Sequence, residues 1–402
     1  MSGEAFSGSG LARLREAMAG HVEHGGVPGL VALVSRRGEV HVEVHGRAAL
    51  GGRPMARDTI FRVASLTKPV TAVAAMILVE ECRLRLDDPV DRFLPELADR
   101  RVLRSPDGPL DDTVPAERPI TLRDLLTFRA GTGILPTPPG AHPIQRAMDE
   151  PALGQGPPRP GAVPAPDEWI RRLATLPLIH QPGERWMYNT SADVLGVLIA
   201  RASGLPFEAF LHERVFEPLG MKDTGFAVPA ADLDRLATAY GGTPVDGVLP
   251  VYDEAEGGEW SRPPAFPSGA GGLVSTVDDY LALGRMLLGG GRRGGERILS
   301  RPSVELMLSD QLTPAQKRAT SWVGDYFDTH GWGFGLSVVT RRTDPAETVG
   351  RAGWDGGLGT SWYVDPREDM VTALFTQRAW TSPVPPEVCR DFLTSAYQAI
   401  AD

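Results

Sequence analysis

The pattern of apolar and polar positions predicts strands near both ends of the chain. Residues 11–22 form an amphipathic helix pattern, and two short runs of β-forming residues follow at 29–34 and 40–46. The turn signal at 36–38 lies between these two runs, so we predict a β-hairpin. The sequence therefore begins with one helix followed by two antiparallel strands.

Helical periodicity dominates the middle of the chain and strand patterns return in the last third. Cap residues and apolar spacing predict helices that end in a glycine or a polar turn. The predicted helices are 121–126, 168–176, 192–202, 207–215 and 276–288. The late strands, which we expect to be antiparallel neighbours, are 331–339, 359–364 and 370–376, followed by a closing helix at 385–400.

These elements predict an α/β fold of the α+β type. The N-terminal and C-terminal segments would form one antiparallel sheet flanked by helices, and a mostly helical domain would be inserted between them. We assign residues 11–90 and 265–402 to the sheet domain and residues 91–264 to the inserted domain. The segment 100–166 is rich in proline and glycine. We interpret it either as a long loop that lines the site or as a tolerated surface insertion.

Composition and charge exclude several classes of function. The 402 residues carry a net charge of −10, which argues against nucleic acid or an anionic membrane as the main partner. The N-terminal residues show no signal peptide and no run of eighteen apolar residues follows, so we predict a cytoplasmic protein. Cys82 and Cys389 are isolated, and we expect each to be a small buried side chain. The eight histidines form no recognisable metal-binding pair.

Candidate chemistry begins with Ser65 and Lys68, one helical turn apart on the same face of a predicted helix. An amine beside a hydroxyl can activate serine without histidine, and a helix N-terminus favours a developing oxyanion. The chain has only two other lysines, Lys222 and Lys317. By itself the Ser-x-x-Lys spacing is also consistent with a surface lysine near a capping serine.

Two further stretches join this pair. Tyr188 comes just before the predicted helix 192–202, where it would either face a pocket or pack as an aromatic staple. Residues 354–360, Trp-Asp-Gly-Gly-Leu-Gly-Thr, come before a predicted strand. Their glycines would let a substrate approach the backbone, although an ordinary β-turn would have the same composition. Gly-x-Ser-x-Gly, His-Glu-x-x-His and the phosphate-binding P-loop pattern are all missing from the sequence.

Taken in this order, the three stretches resemble the serine β-lactamase and penicillin-binding-protein superfamily, and best its class C-like branch of family VIII carboxylesterases. Ser65-x-x-Lys68 matches the nucleophile motif. Tyr188-Asn189-Thr190 stands at the Tyr-x-Asn position, and Trp354-Asp355-Gly356 replaces Lys-Thr-Gly or Trp-Gly-Gly. The resemblance spans about residues 27–377, including Asp193-Val194-Leu195-Gly196 and the glycine-rich run 269–276.

The resemblance implies a mechanism without a cofactor or metal. Ser65 would be acylated, and either Tyr188 as phenolate or Lys68 as free amine would accept its proton. The backbone N–H groups of Ser65 and Gly357 would form the oxyanion hole. Substrate-binding positions would be Thr190, Trp354, Asp355 and Gly356.

The departures from the family pattern favour neutral esters. Trp354 removes the lysine that would pair with a β-lactam carboxylate, and Asp355 adds a negative charge beside the cleft. We therefore predict a carboxylesterase for small neutral acyl esters. The alternatives on the same scaffold are a β-lactamase, a D-alanyl-D-alanine peptidase-like amidase, an acyltransferase of secondary metabolism or a non-catalytic ligand-binding relative. Partners would be limited to a small ester or amide, with no nucleic acid or membrane, and the sequence leaves the oligomeric state open.

Overall fold

A seven-stranded antiparallel sheet forms the centre of the molecule, with strand order β11-β12-β13-β14-β15-β1-β2. The computed structural model describes residues 4–149, 153, 156–320 and 324–401. The remaining eight strands pair in four small two-stranded sheets. The strands are β1 Gly29–Arg36, β2 Glu39–Gly46, β3 Phe61–Arg62, β4 Arg101–Leu103, β5 Thr113–Pro115, β6 Ala239–Tyr240, β7 Val251–Asp253, β8 Val274–Ser275, β9 Arg292–Arg293, β10 Glu296–Arg297, β11 His330–Trp332, β12 Ser337–Val339, β13 Ala352–Gly356, β14 Thr360–Asp365 and β15 Met370–Thr376.

Helices cover both faces of this sheet, and most of the helices lie in the part of the chain between its N-terminal strands and its C-terminal strands. The α-helices are α1 Gly8–Glu23, α2 Thr67–Glu80, α3 Leu122–Leu126, α4 Pro143–Asp149, α5 Pro166–Thr175, α6 Thr190–Ser203, α7 Phe207–Leu211, α8 Glu217–Leu219, α9 Val277–Leu288, α10 Arg301–Met307, α11 Pro314–Ala319, α12 Tyr326–Thr329 and α13 Glu387–Gln398. A short 3₁₀ helix, Ala64–Leu66, precedes α2 directly. The fold is therefore the predicted α/β architecture, with helices packed around one large antiparallel sheet.

Strand β1 explains why the sheet is covered on both sides. All eight of its residues are buried, which is typical of a strand that has no face in contact with water. Val31 and Leu33 belong to the core shared with α2 and α9, whereas Leu30 and Ala32 face the core formed with α1 and α13. The alternation of side chains along one strand therefore joins two separate apolar layers.

The two ends of the chain meet in this sheet. Strand β1 pairs with β15, and Leu30 lies opposite Thr376. Outside the sheet, Ser7 N donates to the carbonyl of Ala399 at 2.7 Å, so the two termini also pair with each other. This arrangement confirms the prediction that one sheet is built from N-terminal and C-terminal segments.

Two predicted strand boundaries differ from the structure. Residues 331–339, predicted as one strand, form the two strands β11 and β12. The chain reverses at Gly335, whose φ of 72° lies in the left-handed region, and whose missing side chain lets this turn approach the Lys68 carbonyl. Trp354-Asp355-Gly356, predicted to precede a strand, lies within β13. The glycines concealed its strand pattern, because strand propensity is low for glycine and aspartate.

The segment 100–166 contains the β4–β5 hairpin, α3 and α4, and its later part borders the cavity described below. Residues 150–152 and 154–155 of this segment lie outside the described residues. The large apolar core runs without interruption from the sheet into the helices of residues 91–264. The division into domains at 90/91 and 264/265 therefore stays a prediction.

Two further observations bear on the sequence predictions. Cys389 is buried as expected, but Cys82 is exposed because it follows α2 in a turn with φ of 58°. Among the described residues, no single helix has the length and apolar character to cross a bilayer, and only the sharply bent pair 190–203 and 207–219 meets both criteria jointly. The cytoplasmic location stays a prediction.

Candidate active site

Ser65 lies in a tight turn between strand β3 and helix α2. Ala64, just before it, has a φ of 45°, an uncommon conformation for a residue with a side chain. The turn is held by Thr67, whose hydroxyl donates to the Ala64 carbonyl at 2.7 Å and accepts from Leu273 N at 3.1 Å. Ser65 is partly exposed while its neighbours are buried, so the turn presents its hydroxyl to the cavity.

Lys68 lies in the first turn of α2 and is only 1% exposed. Its Nζ is 2.9 Å from Ser65 Oγ and 2.6 Å from the carbonyl oxygen of Ala270. The amine also lies 4.5 Å from the centre of the Tyr188 ring. A neutral amine can donate to Ala270 and still offer its lone pair to the Ser65 hydroxyl.

Tyr188 is held in place by the chain before it and by an aromatic wall. Its carbonyl accepts from Ile134 N at 2.9 Å, and its ring stacks on Trp186 at 5.6 Å between ring centres. The phenol oxygen accepts a hydrogen bond of 2.7 Å from Trp354 Nε1 and also shares a hydrogen bond with Ser65. The structure therefore brings Ser65, Lys68, Tyr188 and Trp354 together, as the sequence predicted.

Burial shifts the pKa values of Lys68 and Tyr188 in opposite directions. Desolvation lowers the pKa of the Lys68 amine, and the charge of Asp193 opposes this shift only in part. Desolvation raises the pKa of the Tyr188 phenol, despite its hydrogen bonds with Ser65 and Trp354. A group that accepts the Ser65 proton near neutral pH needs a pKa below its usual value, and of the two candidates only Lys68 meets this condition. The phenolate form of Tyr188 is thus disfavoured in the free protein.

Asp193 organises the loop that faces Lys68, a role that the sequence analysis did not identify. Its Oδ1 accepts from Ser268 Oγ at 2.6 Å and from Ala270 N at 3.0 Å. Burial raises the pKa of Asp193 to about 6. Because the carbonyl of Ala270 in turn accepts from Lys68, Asp193 positions the amine through the backbone of Ala270. The available signal was an aspartate in the first turn of a helix whose other residues are mostly apolar.

The end of β13 closes against the Ser65 turn. A side chain at Gly356 would meet the Val63 carbonyl at 2.3 Å, so glycine permits this close approach. Thr360, opposite Gly356 in β14, donates to the same carbonyl at 3.1 Å. This contact brings Gly357 and Ser65 to the wall of one cavity, as an oxyanion hole made from their N–H groups requires.

Two predicted substrate-binding residues lie elsewhere than expected. Thr190 is 0% exposed at the start of α6, whereas Asn189, with a φ of 86°, borders the cavity. Asn189 therefore borders the cavity where Thr190 was expected, and the substrate-binding roles stay predictions. Asp355 points to the opposite side of β13 from Trp354, because successive strand side chains alternate. Its carboxylate accepts from the Tyr363 hydroxyl at 2.8 Å and burial raises its pKa, which weakens the repulsion of anions that we predicted.

A cavity of about 770 Å³ opens in front of Ser65. Near the serine its wall is mainly apolar and includes proline rings from the loop at 156–163. The same cavity continues past Trp354 and Asp355 to the side of the sheet covered by α13. Among the described residues, no group of three or more histidine, cysteine, aspartate or glutamate side chains is arranged to hold a metal ion.

Comparison with known proteins supports what this geometry indicates. A family model described as Beta-lactamase matches residues 14–387. The chain belongs to the Beta-lactamase family. Protein Rv1367c of Mycobacterium tuberculosis is 42% identical over 89% of this chain and 85% of its own length. Esterase EstB of Burkholderia gladioli is 35% identical over 88% of this chain and 86% of its own length.

A solved structure shows that the similarity extends to the whole architecture. EstCE1, described as a hydrolase with promiscuous acyltransferase activity, superimposes with a TM-score of 0.78 at 26% identity, covering 97% of this chain and 98% of its own. Within the Beta-lactamase family, this chain is thus a serine hydrolase or acyltransferase of the esterase-like branch. The resemblance proposed from the three sequence motifs is confirmed.

Proposed function

We propose that this member of the Beta-lactamase family is a carboxylesterase that forms an acyl-enzyme on Ser65. The observation that carries the proposal is the 2.9 Å contact between Ser65 Oγ and a buried Lys68 amine. Lowering the pKa of an amine in a water-poor site increases the fraction that can accept a proton near neutral pH. The half-exposed hydroxyl beside this amine is therefore a suitable nucleophile.

In the first half of the reaction, Ser65 Oγ attacks the ester carbonyl carbon while its proton moves to Lys68 Nζ. The carbonyl oxygen gains the negative charge and would be stabilised by the N–H groups of Ser65 and Gly357. The tetrahedral intermediate then collapses with cleavage of the bond to the alcohol oxygen. The leaving alkoxide takes up the proton that Lys68 accepted from Ser65, directly or through the Tyr188 hydroxyl, and Lys68 returns to its neutral form.

In the second half, a water molecule attacks the acyl-enzyme from the same side. Lys68 accepts the proton of the attacking water, directly or through Tyr188, and the Ser65 oxygen is reprotonated as the acid leaves. Because Trp354 Nε1 donates to Tyr188 at 2.7 Å, it holds the phenol oxygen in place without adding a positive charge. The groups next to the scissile bond are accordingly expected to be neutral.

Acyl transfer to an alcohol is the second candidate. The apolar wall near Ser65 can bind an organic alcohol in place of water, and an alcohol that reacts with the acyl-enzyme would complete a transfer. EstCE1, with its hydrolase and acyltransferase activities, supports this possibility for the same fold. The two reactions share every step up to the acyl-enzyme and differ only in the acceptor.

Intact-mass measurement with a fluorophosphonate and a panel of activated esters tests the proposal. We expect one covalent adduct per chain, located on the peptide that contains Ser65. Ser65→Ala should form none and should lose ester hydrolysis with an unchanged melting temperature, because a small change at a cavity wall costs little stability. Ser105→Ala, at an exposed serine far along the chain, is the matched control and should react normally. More than a few per cent of residual activity in pure Ser65→Ala would remove Ser65 as the nucleophile.

A further inference from the structure

Arg351 is a buried arginine that forms no salt bridge with any of the described residues. It is 5% exposed, and its Nε and Nη1 atoms are buried with no hydrogen-bond partner. No carboxylate of the described residues lies within 4.0 Å of its guanidinium in a salt bridge. Burying an unpaired charge is costly. Of the other buried arginines among the described residues, Arg36 and Arg62 bind a carboxylate and Arg129 donates to the Thr127 hydroxyl. Arg351 is the exception that an external anion would explain.

The position of Arg351 is fixed by its backbone and by an aromatic ring. Its N–H donates to the Thr348 carbonyl and its carbonyl accepts from Val339 N, both at 2.9 Å. The guanidinium lies over the Tyr363 ring, 4.5 Å from the ring centre. When the flat face of a guanidinium stacks on an aromatic ring, its N–H groups point sideways and can still donate hydrogen bonds. Arg351 borders the same cavity as Ser65.

The carboxyl groups of Asp344, Glu347 and Asp355 border the same cavity, but none of them forms a salt bridge with Arg351. Burial raises the pKa of Asp355, and hydrogen bonds from Ser361 and Tyr363 and the charge of Arg351 oppose this shift. Glu347 accepts a hydrogen bond from the hydroxyl of Thr343, and its other oxygen is 3.8 Å from His330. The exposed Arg390 of α13 adds a second positive charge to the same part of the cavity.

We propose that Arg351 binds a carboxylate or phosphate at the far end of an elongated ester substrate. This inference rests on the proposed esterase function and adds a substrate class to it: esters that are neutral at the reacting bond and anionic at a distance. The site would consist of the Arg351 guanidinium and the Tyr363 ring beneath it, which both border the cavity.

The open edge of β13 provides the path between the two sites. Strand β12 pairs only with Ala352 and Gly353, so the edge of residues 354–356 has no strand beside it. Tyr363, under the guanidinium, lies opposite Gly353. Three residues of strand separate that level from Gly356, a distance of roughly 10 Å along the strand. An acyl chain that ends in an anion could follow this edge from Ser65 to Arg351.

Paired substrates test the inference. p-Nitrophenyl hydrogen suberate carries a terminal carboxylate, and its methyl ester has the same chain without the charge. Arg351→Met should raise KM for the anionic ester by at least about tenfold, since it loses charge-assisted hydrogen bonds. Its kinetics with the methyl ester should change by less than about twofold, and Arg351→Lys should retain part of the preference. Arg367→Met, at an exposed arginine of the β14–β15 turn, is the control for net charge.

An analogue with a terminal phosphate in place of the carboxylate distinguishes the two anions: the one with the larger dependence on Arg351 identifies the natural group. Equal losses for the charged and uncharged esters, or a markedly lower melting temperature of Arg351→Met, would show that Arg351 is structural and overturn the inference. If the wild type hydrolyses no ester, the proposed function fails by itself. Calorimetric binding of monomethyl suberate then decides the subsite, because equal affinity in wild type and Arg351→Met would refute it.

Discussion

The proton affinity of Lys68 gives the sharpest prediction about mechanism. If its free amine is the base, kcat/KM for a neutral ester should rise with pH as the amine loses its proton and then level off. Burial lowers the pKa of Lys68 from 10.5 to about 7, so the midpoint of the rise should lie near pH 7. The rate rises with pH because only the deprotonated amine of Lys68 can accept the Ser65 proton.

The structure also sets the size of the effect. At pH 7 an amine with a pKa of 10.5 would be free in roughly one molecule in three thousand, whereas one with a pKa of about 7 is free in about half. Burial therefore raises the available base by about 10³-fold. Lys68→Arg keeps the positive charge but cannot lose its proton, so it should lower kcat/KM by about 10²–10⁴ and abolish the rise near pH 7.

Asp193→Asn provides a directional check on this assignment. The negative charge of Asp193 raises the pKa of Lys68, so its removal should move the midpoint of the pH–rate profile to lower pH. The amide oxygen of the asparagine can still accept from Ser268. Asp279→Asn is the matched control, because burial also raises the pKa of Asp279 to about 6, and its carboxylate binds Thr224 instead. Initial rates should be measured from pH 5 to 9 with subtraction of spontaneous hydrolysis. A midpoint that Asp279→Asn moves and Asp193→Asn does not would refute the reasoning.

Two further substitutions examine the neighbours of the nucleophile. Tyr188→Phe should lower kcat by at least ~10² with KM nearly unchanged, because the proton relay acts in the transition state; near wild-type kinetics would reduce Tyr188 to a packing residue. Wild type should hydrolyse short-chain p-nitrophenyl esters far faster than penicillins at equal concentration, and Trp354→Lys should narrow that difference by supplying a cation for the β-lactam carboxylate. A β-lactam kcat/KM equal to that of the best simple ester would contradict this view of Trp354.

Much of the fold could be predicted because its strands and helices carry strong local patterns. The hairpin of β1 and β2 and the helices α1, α6 and α9 lie within a few residues of the predicted ranges. The prediction was wrong where glycine controls the backbone. Gly335 reverses the chain between β11 and β12, and Gly353 and Gly356 lie in β13, where close contacts with Tyr363 and Val63 leave no room for a side chain. Propensity describes single residues and does not include such contacts.

The candidate site was predictable to the extent that its residues lie in motifs. Ser65, Lys68, Tyr188 and Trp354 come together as expected, whereas Asp193 and Arg351 were not identified. Each of these two acts through a partner that is distant in the sequence: Asp193 through Ala270, and Arg351 through Tyr363 and an open cavity. The sequence also left open whether Lys68 or Tyr188 is the base, because their pKa values depend on burial in the surrounding core and not on the local sequence.

The pairing of β1 with β15 has a consequence for how the protein is made. Leu30 pairs with Thr376, 346 positions later in the sequence, so the central sheet cannot close until β15 has been synthesised. Until then the β1–β2 hairpin exposes the edge of β1 that later pairs with β15, and an exposed strand edge favours aggregation. Loop closure over such a distance also slows folding. Heterologous expression should therefore benefit from slow production at low temperature, and C-terminal truncations that remove β15 should accumulate in inclusion bodies.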